Sequence, residues 1–361
     1  MRLTRLAAAR FRNLEPFDRK IGTSFVVLHG PNAQGKTNVL EAVYLLATLK
    51  PLRARRPRDL VRWGDEAAWV QALVTSKGAE RKLRVVLEGS RRRAEVDGKT
   101  ASLDAYFEWA RAIAFVPSDT GIVTGEPARR RNWVDRAAFT AHPAHLEAVK
   151  RYKRALDQKA AALRANVADA VLDAIDDGLA ESGARLVERR TALVEEISPH
   201  VRAIHTMLAA ERGALALHYR TQAVGDSVAA RSNALRGRLA DARKGERQRR
   251  MVLVGPHLDD VEVALEDRSA RAWGSQGQVR SVVLALKLAE MVAASRRGGD
   301  MPLFLVDDIG SELDRDRKRR LVEVLRELEA QVFLTTTDPE HLVDLPKGDT
   351  EFVRIEGGKL Y

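Results

Sequence analysis

Apolar positions along the chain recur with two different periods, and the period changes twice. Short apolar runs and alternating stretches near the start predict strands at residues 3–8, 25–28, 69–74 and 83–87 and a helix at 36–49. From about residue 145 to 250, glycine and proline are sparse and apolar residues recur every three or four positions, which predicts several long helices. Strand and helix patterns then alternate again, with buried-type strands at 302–306 and 331–335.

This pattern predicts a lobe assembled from both ends of the chain, with a helical lobe inserted between them. We place the first lobe at residues 1–139 and 251–361 and the helical lobe at 140–250. The first lobe is expected to be α/β, because its strands and helices alternate. The inserted region shows no sustained heptad repeat, which argues against a long coiled coil.

A glycine-rich loop, "GPNAQGKT", joins the predicted strand 25–28 to the predicted helix 36–49. Its spacing is that of a loop whose backbone N–H groups surround phosphates at a helix N-terminus. The candidate nucleotide ligands are Gly30, Pro31, Asn32, Ala33, Gln34, Gly35, Lys36 and Thr37. Lys36 is predicted to reach the β and γ phosphates, and the Thr37 hydroxyl to bind Mg²⁺. The loop therefore predicts a nucleoside triphosphate site.

Two carboxylates follow a second apolar run, in "PLFLVDDIGSELD". The run predicts a buried parallel strand, and Asp307 and Asp308 would lie at its carboxyl end, where ligands bind in open α/β sheets. Asp307 is the candidate to hold Mg²⁺, and Asp308 the candidate to orient or deprotonate the attacking water. Such a strand end is often only a turn, but the glycine-rich loop in the same chain favours the catalytic interpretation.

A third element, "WGSQGQVRS", opens an apolar helix with a Ser-Gln-Gly-Gln turn. A serine side chain, a glycine backbone and a helix N-terminus together form a second phosphate-binding device. A plain capped helix would explain Ser275 equally well. The position of the turn, about thirty residues before the acidic strand, favours a role at the nucleotide.

The chain is strongly basic, with a formal net charge of +11 and a pI near 10.0. Basic residues outnumber acidic ones by six to one over residues 50–62, by seven to three over 81–99 and by eight to two over 231–251. This charge suggests a polyanionic partner, nucleic acid first and a membrane surface second. Any one run could be a solvated surface, but three of them beside a nucleotide loop favour a nucleic acid partner. Because phosphate contacts do not depend on the bases, these basic runs do not predict which nucleic acid sequence the protein would bind.

Composition limits the class of protein further. The chain has 361 residues, 45% of them hydrophobic, which can supply the core of a protein with more than one lobe. Cysteine is absent, which excludes disulfides and thiolate metal sites and suits a reducing cytoplasm. No run has the length of a signal peptide core or a membrane span, so we expect a soluble, cytoplasmic protein without a membrane partner.

Taken together, the motifs resemble the RecF family, in the SMC-like branch of ABC ATPases. They are "RFRNL" at 10–14, "GPNAQGKTNVLEA" at 30–42, "GPHLDD" at 255–260, "SQGQVRS" at 275–281 and "LVDDIGSELD" at 305–314, and residues 115–135 are similar as well. The resemblance extends over nearly the whole chain. It implies an α/β fold, namely an ABC-type P-loop ATPase head with a helical second lobe and no long coiled coil. The loop and a strand-rich meander would lie in 1–139, and the signature turn and acidic strand in 251–361.

The resemblance also implies a function. A member of this family is expected to be a weak ATPase, using ATP and Mg²⁺, that dimerises on ATP and binds gapped DNA or single-strand/double-strand junctions. It would work with RecO and RecR to load RecA in recombinational repair, with roles in replication and the SOS response. The alternative is the ATPase head of another DNA-repair or transport complex.

Several residue roles are implied only by the resemblance. Arg12 and Asn13 would lie near the nucleotide, although a simple turn after the first strand is the competing interpretation, and Asn38 would lie beside Thr37. Ser275, Gly277 and Gln278 would reach the ATP held by a second copy, and residues 311–314 would signal between the two sites. Ala33 stands where the family often has glycine, and Asp308 where ABC ATPases have glutamate, which suits slow, switch-like hydrolysis. Asp259 and Asp260 are assigned no chemistry.

Three other classes fit the sequence less well. An SMC head would need a long coiled-coil arm between the loop and the signature turn, which are separated here by a compact helical region. A transporter ATPase suits neither the basicity nor the Phe-Arg-Asn start. A P-loop kinase or helicase would leave the turn at Ser275 unexplained.

Overall fold

The computed structural model describes residues 1–54, 56–209, 214–342 and 344–361; for residues 297, 298, 311, 312 and 341 it describes only the backbone. The chain forms two compact units. The first contains Met1–Asp119, Ile204–Glu211 and Val283–Tyr361, and the second contains Thr120–Ala203 and Arg212–Val282. The predicted lobe boundaries at 140 and 250 both lie inside the second unit, and the predicted lobes remain a proposal.

Strands and helices alternate at both ends of the chain and helices dominate its middle. The strands are β1 (Arg2–Ala9), β2 (Phe17–Lys20), β3 (Phe25–His29), β4 (Ala67–Ser76), β5 (Ala79–Glu88), β6 (Arg91–Val96), β7 (Lys99–Thr100), β8 (Ala112–Phe115), β9 (Leu215–Arg220), β10 (Asp260–Leu265), β11 (Arg268–Ser269), β12 (Leu303–Val306), β13 (Val332–Thr336), β14 (Thr350–Glu356) and β15 (Lys359–Leu360). The helices are α1 (Lys36–Thr48), α2 (Leu103–Phe107), α3 (Gly121–Thr124), α4 (Pro127–Ala141), α5 (His145–Ala165), α6 (Asp169–Ala209), α7 (Val228–Arg249), α8 (Ala270–Trp273), α9 (Gln276–Gly298), α10 (Ile309–Glu312) and α11 (Arg315–Glu327). Short 3₁₀ turns lie at Pro57–Leu60, Pro117–Thr120 and Pro339–His341.

An antiparallel sheet forms part of the first unit, with the strand order β2-β1-β4-β5-β6-β7. Every second residue of β4 is buried, including Val70 and Val74, so one face of the strand packs on the core and the other faces outwards. Strands β4 and β5 are joined by a tight turn at Lys77 and Gly78, both with positive φ, as two-residue hairpins require. This is the strand-rich meander predicted from alternation, with longer strands than expected.

The second sheet of this unit carries the predicted nucleotide elements. Its order is β15-β14-β3-β13-β12-β8, and all neighbours from β14 to β8 run parallel. Strands β12 and β13 are buried along their whole length, which explains their continuous apolar sequence. Because β3, β12 and β13 run in the same direction, their carboxyl ends meet at one edge. The glycine-rich loop, the two aspartates and the end of β13 therefore lie together.

The second unit contains the predicted long helices. Helices α5, α6 and α7 contribute Leu163, Leu172, Leu186 and Leu235 to one apolar cluster. A buried lysine, Lys159, bridges Asp176 at 2.7 Å and Glu246 at 2.6 Å within this unit. The region also holds a sheet, β11-β10-β9, that the sequence did not predict. Strand β9 is only six residues long, and helical patterns surround it on both sides.

The observed architecture confirms the predicted fold class, a mixed α/β ATPase head. Among the residues described, no helix pair extends into a long coiled coil. Within the same residues, no helix combines the length and the apolar composition needed to cross a membrane.

Candidate functional site

The glycine-rich loop adopts a backbone that few residues tolerate. Gly30 has φ 140° and Gly35 φ 113°, and a Cβ at Gly30 would lie 2.3 Å from the carbonyl oxygen of Ile355. Ala33 has φ 64°, in the left-handed region that glycine prefers, at a cost of about 1 kcal/mol. Helix α1 begins directly after this loop, so its unpaired N–H groups point toward the loop.

Lys36 lies inside the loop rather than in solvent. Its Nζ donates to the carbonyl oxygens of Gly30 at 2.6 Å and Pro31 at 2.7 Å, and only 8% of the residue is exposed. Burial lowers the pKa of Lys36, while the charges of Asp308 and Asp307 act in the opposite direction. The ammonium group is therefore held against the backbone of the loop, and its contact with phosphates stays a prediction.

The two predicted metal ligands are in direct contact. Asp307 is buried at the end of β12, and its Oδ1 accepts hydrogen bonds from Thr37 Oγ1 at 2.8 Å and Thr335 Oγ1 at 2.9 Å. A hydroxyl and a carboxylate are hard oxygen ligands of the kind that Mg²⁺ prefers. Among the described residues, no group of three or more histidine, cysteine, aspartate or glutamate side chains could hold a metal ion. Thr37 and Asp307 together would suit an ion that takes its other ligands from phosphate and water.

Asp308 follows Asp307 with φ 56°. Its backbone N–H donates to Thr335 Oγ1 at 2.7 Å, so the same threonine hydroxyl holds both aspartates. This left-handed residue turns the chain sharply between β12 and α10. The turn places Asp308 at the wall of the nucleotide cavity.

A cavity of about 350 Å³ lies over these residues. It is lined by Asn32, Ala33, Gly35, Lys36, Thr37, Asn38, Arg53, Pro117, Asp307, Asp308, Thr335 and Thr337. Its volume is within the range of small-molecule sites. Five of the eight predicted loop ligands and both aspartates thus line one cavity, whereas Gly30, Pro31 and Gln34 are not among its lining residues.

Arg12 and Asn13 lie in a turn after β1, as the simpler prediction for these residues has it. Both side chains also reach the region of the glycine-rich loop. The Asn38 side chain donates to Asn13 Oδ1 at 2.6 Å. Arg12 pairs with Glu41 of α1, with Nη2 to Oε2 at 2.8 Å. The structure therefore brings Arg12, Asn13 and Asn38 beside the loop, and their contact with a nucleotide stays a prediction.

Sequence reasoning missed two residues of this site, Glu41 and Arg53. Glu41 is 1% exposed, and its Oε1 accepts from the backbone N–H groups of Arg53 at 2.9 Å and Ala54 at 3.2 Å. Arg53 in turn pairs its guanidinium with Asp307 Oδ2. A glutamate on a helix and one arginine in a basic run carry no local signal for this arrangement, which depends on contacts between distant segments.

Replacing Glu41 with glutamine should loosen the segment that carries Arg53. The neutral side chain pairs poorly with Arg12 and accepts more weakly from the two N–H groups. We expect the free energy of unfolding to fall by about 1–3 kcal/mol. Urea unfolding measures this loss, and hydrogen exchange should be faster at the amides of Arg53 and Ala54. Glu15→Gln, at a half-exposed pair with Arg62, is the matched control; equal effects in the two variants would contradict this role of Glu41.

The Ser275 turn belongs to the second unit. Ser275 Oγ accepts from the Gln278 N–H at 3.2 Å, and Gln278 Oε1 accepts from the Ser275 N–H at 2.9 Å. This reciprocal pair is a capping box at the start of α9. Ser275 is exposed, and Gly277 and Gln278 are half-buried. The plain cap is therefore present, and a role of this turn at the nucleotide stays a prediction.

The loop after Asp308 was predicted to signal between two sites. Of residues 311–314, the side chains of Ser311 and Glu312 lie outside the described residues. Leu313 is buried. Asp314 caps α11 by accepting from the Arg317 N–H at 2.9 Å. The structure thus assigns Asp314 a local structural contact, and its signalling role stays a prediction.

Arg130, of the motif at 115–135, and Asp260, of the motif at 255–260, form a partly buried ion pair within the second unit. Arg130 forms two hydrogen bonds to Asp260, at 2.6 and 2.9 Å. Asp259 accepts from the Tyr219 hydroxyl at 2.7 Å, and burial raises the pKa of this carboxyl. The first contact joins α4 to β10, and the second joins β9 to the residue before β10. This structural arrangement needs no chemistry from the two aspartates.

The parallel sheet, the loop at the N-terminus of α1 and the strand-end aspartates define the protein as an ABC-type P-loop ATPase head. The family model described as the RecF/RecN/SMC N-terminal domain matches residues 2–347. The chain belongs to the RecF family. It is 42% identical over 368 residues to the DNA replication and repair protein RecF of Myxococcus xanthus, covering 100% of this chain and 97% of that protein. The RecF of Anaeromyxobacter sp. strain Fw109-5 is 41% identical, covering 100% of this chain and 99% of that protein.

Solved structures agree with this assignment. The structure described as the recombination mediator protein RecF-ATPrS in the RecFOR pathway aligns with a TM-score of 0.88 at 25% identity, covering 99% of this chain and 97% of the other. The corresponding RecF-ATP structure aligns at 0.86 and 25% identity, covering 99% of this chain and 96% of the other. An Smc head bound to the C-winged helix domain of ScpA aligns with a TM-score of 0.58 at 15% identity, covering 100% of this chain and 96% of the other. At this identity the likeness shows a shared fold alone.

Proposed function

We propose that this protein is an ATP-dependent DNA-binding protein of DNA replication and repair, acting in the RecFOR pathway of recombination. The observation that carries the proposal is the contact of Thr37 with Asp307 beside Lys36, in a chain similar over its full length to RecF proteins. This contact pairs the two halves of a nucleotide site. The RecF structures whose names include ATP and ATPrS support ATP as the ligand.

The loop, Lys36 and Thr37 would hold the phosphates, and Thr37 and Asp307 would hold Mg²⁺. When bound, the ion neutralises phosphate charge during hydrolysis. Asp308 would orient or deprotonate the attacking water. Its side chain is one carbon shorter than the glutamate usual in ABC ATPases, so we propose weak ATPase activity that works as a switch.

ATP would join two copies of the chain. Each loop at Lys36 would face Ser275, Gly277 and Gln278 of the other copy, whose turn adds N–H groups and a helix N-terminus to the γ-phosphate. Arg12, Asn13 and Asn38 would complete the nucleotide surroundings, and residues 311–314 would relay the state of one site to the other. Hydrolysis through Asp308 would then open the dimer.

The closed dimer would clamp DNA through the basic surface of its two subunits. The net charge of +11 and the three basic runs support a polyanionic partner bound mainly through phosphates. We propose gapped DNA or single-strand/double-strand junctions as the substrate, and RecO and RecR as partners in loading RecA, with participation in the SOS response. A cytoplasmic location follows from this role.

The proposal is tested by DNA binding with and without ATP. In Mg²⁺, ATP should tighten binding of the wild type to junction DNA by about tenfold, because two basic subunits bind where one did before. Affinity should fall steeply with salt. Lys36→Met should lose the effect of ATP and keep the weak binding seen without it. Anisotropy measures the DNA affinity of the wild type and of Lys36→Met with and without ATP. If ATP tightens DNA binding equally in the two proteins, the assigned nucleotide site is wrong.

A further inference from the structure

Trp63 is the most exposed tryptophan among the described residues, at 100% exposure. Of the four others, Trp133 is buried and Trp273 is 73% exposed. Arg84 lies over the ring of Trp69 and Arg81 over that of Trp109, at 4.9 and 4.7 Å from the ring centroids. In the part of the chain that the structure describes, no ring or cation contact covers Trp63. A large apolar side chain held wholly in water is unfavourable, which points to a partner.

The backbone around Trp63 is nevertheless well anchored. Phe11 and Val61 form an antiparallel β-bridge, flanked by hydrogen bonds from Arg12 N to Leu60 O at 2.8 Å and from Arg62 N to Arg10 O at 2.7 Å. The turn is closed by Asp65 N donating to Arg62 O at 3.1 Å. The indole is thus presented by a fixed turn, so little conformational entropy would be lost when a planar group stacks on it.

The run of residues that precedes Trp63 is basic, whereas Asp65 and Glu66 follow it. Trp63 directly follows the basic run 50–62, with six basic residues and one acidic. The side chains of Arg10 and Arg58 are each 62% exposed, and their ion pairs with Asp65 and Asp59 are long, at 3.9 Å. Exposed pairs of this kind contribute little, so a phosphate can replace the carboxylate. An aromatic face beside exposed arginines is the combination that binds single-stranded nucleic acid.

The segment is also joined to the nucleotide site of the same unit. Residues 10–13 pair with the turn on one side and reach Glu41 and Asn38 on the other, through Arg12 at 2.8 Å and Asn13 at 2.6 Å. Arg53 of the same basic run pairs with Asp307. A ligand on Trp63 would therefore lie on a segment whose other contacts are with the ATP-binding residues.

We propose that Trp63 is a stacking platform for an unpaired DNA base at the point where a single strand leaves a duplex. The neighbouring arginines would hold the backbone phosphates, and the indole would distinguish a junction from a continuous duplex. The inference rests on the proposed DNA binding and adds to it the residue that recognises unpaired bases. Charge favours DNA over a protein partner, because exposed arginines rather than further exposed apolar side chains lie near Trp63 in this segment.

The test compares two DNAs, a blunt duplex and the same duplex with a single-stranded thymidine tail, with full-length protein, ATP and Mg²⁺. Trp63→Ala should weaken binding to the tailed duplex by about tenfold, the size of one lost stack, and leave the blunt duplex within about twofold. Trp63→Phe should retain most of the affinity, since a ring remains. Tyr361→Ala, which removes another exposed aromatic ring, is the control and should change neither.

A direct readout is tryptophan fluorescence. The tail should quench the emission of wild type and Tyr361→Ala more than that of Trp63→Phe, because stacking on a base quenches an indole. If Trp63→Ala weakens binding to both DNAs equally, the inference is overturned while the proposed function stands. The same holds if the variant weakens binding to neither DNA, and the exposed indole would then point to a protein partner. If wild type binds neither DNA, the proposed function fails, and the inference with it.

Discussion

Asp308→Asn should reduce the rate of ATP hydrolysis by about 100-fold or more while leaving ATP-dependent dimerisation intact. Asparagine keeps the shape of the side chain but cannot accept the proton of the attacking water. The left-handed backbone at position 308 tolerates asparagine as well as aspartate, so the turn after β12 should be preserved. Phosphate release measures hydrolysis, and light scattering after size exclusion measures the dimer.

The matched control for this variant is Asp316→Asn. Asp316 is an exposed aspartate in the first turn of α11, in the same unit, and it lines no part of the nucleotide cavity. The Asp316→Asn variant should hydrolyse ATP at the wild-type rate. If Asp308→Asn hydrolyses ATP normally, Asp308 is not the base. If it cannot form the ATP-bound dimer, its role is in assembly rather than in the chemical step.

Ser275→Arg should abolish ATP-dependent dimerisation, with the dimer dissociation constant raised by about 100-fold or more, and leave ATP binding by the single chain unchanged. An arginine would place a bulky, charged side chain where the proposed interface closes on the phosphate. An obstruction at the centre of an interface costs more than loss of one contact. Sedimentation with ATP measures the dimer, and fluorescent nucleotide titration measures ATP binding.

Ser227→Arg provides an unusually close control. Ser227 is also an exposed serine that caps a helix of the second unit, where its side chain accepts from the Ala230 N–H. Both substitutions should lose about 1 kcal/mol of helix capping, so any effect on stability is shared. Only the variant at Ser275 should lose the dimer. Normal dimerisation by Ser275→Arg would show that the turn at Ser275 does not act across an interface.

Local patterns in the sequence predicted much of the first unit. The loop from Gly30 to Thr37 is encoded by contiguous residues, and its glycines meet backbone requirements that the structure shows, such as φ 140° at Gly30. The strands at 25–28, 302–306 and 331–335 were predicted within a residue or two, because fully buried parallel strands have continuous apolar sequences. Strand β9 was missed, since six residues with weak alternation cannot outweigh the surrounding helical pattern.

The sequence also could not reveal the environment of single charged residues. Arg53 is one of six basic residues in its run, and nothing local separates it from the others. Only the contact with Asp307 distinguishes Arg53 from the other basic residues. That contact depends on Glu41, which accepts hydrogen bonds from the backbone N–H groups of Arg53 and Ala54. Asp259 and Asp260 show the same limit: the sequence assigned them no role, and their hydrogen bonds with Tyr219 and Arg130 show a structural one.

By itself, then, the sequence determined the class of ligand, because phosphate binding by a glycine-rich loop depends on the backbone of a few consecutive residues. It also determined the parallel core, through the composition of its strands. The tertiary structure decided which distant residues share the site. Thr37 and Asp307 are 270 positions apart and meet at 2.8 Å only because β3, β13 and β12 align in parallel. Such register is a property of the packed sheet, and no local pattern encodes it.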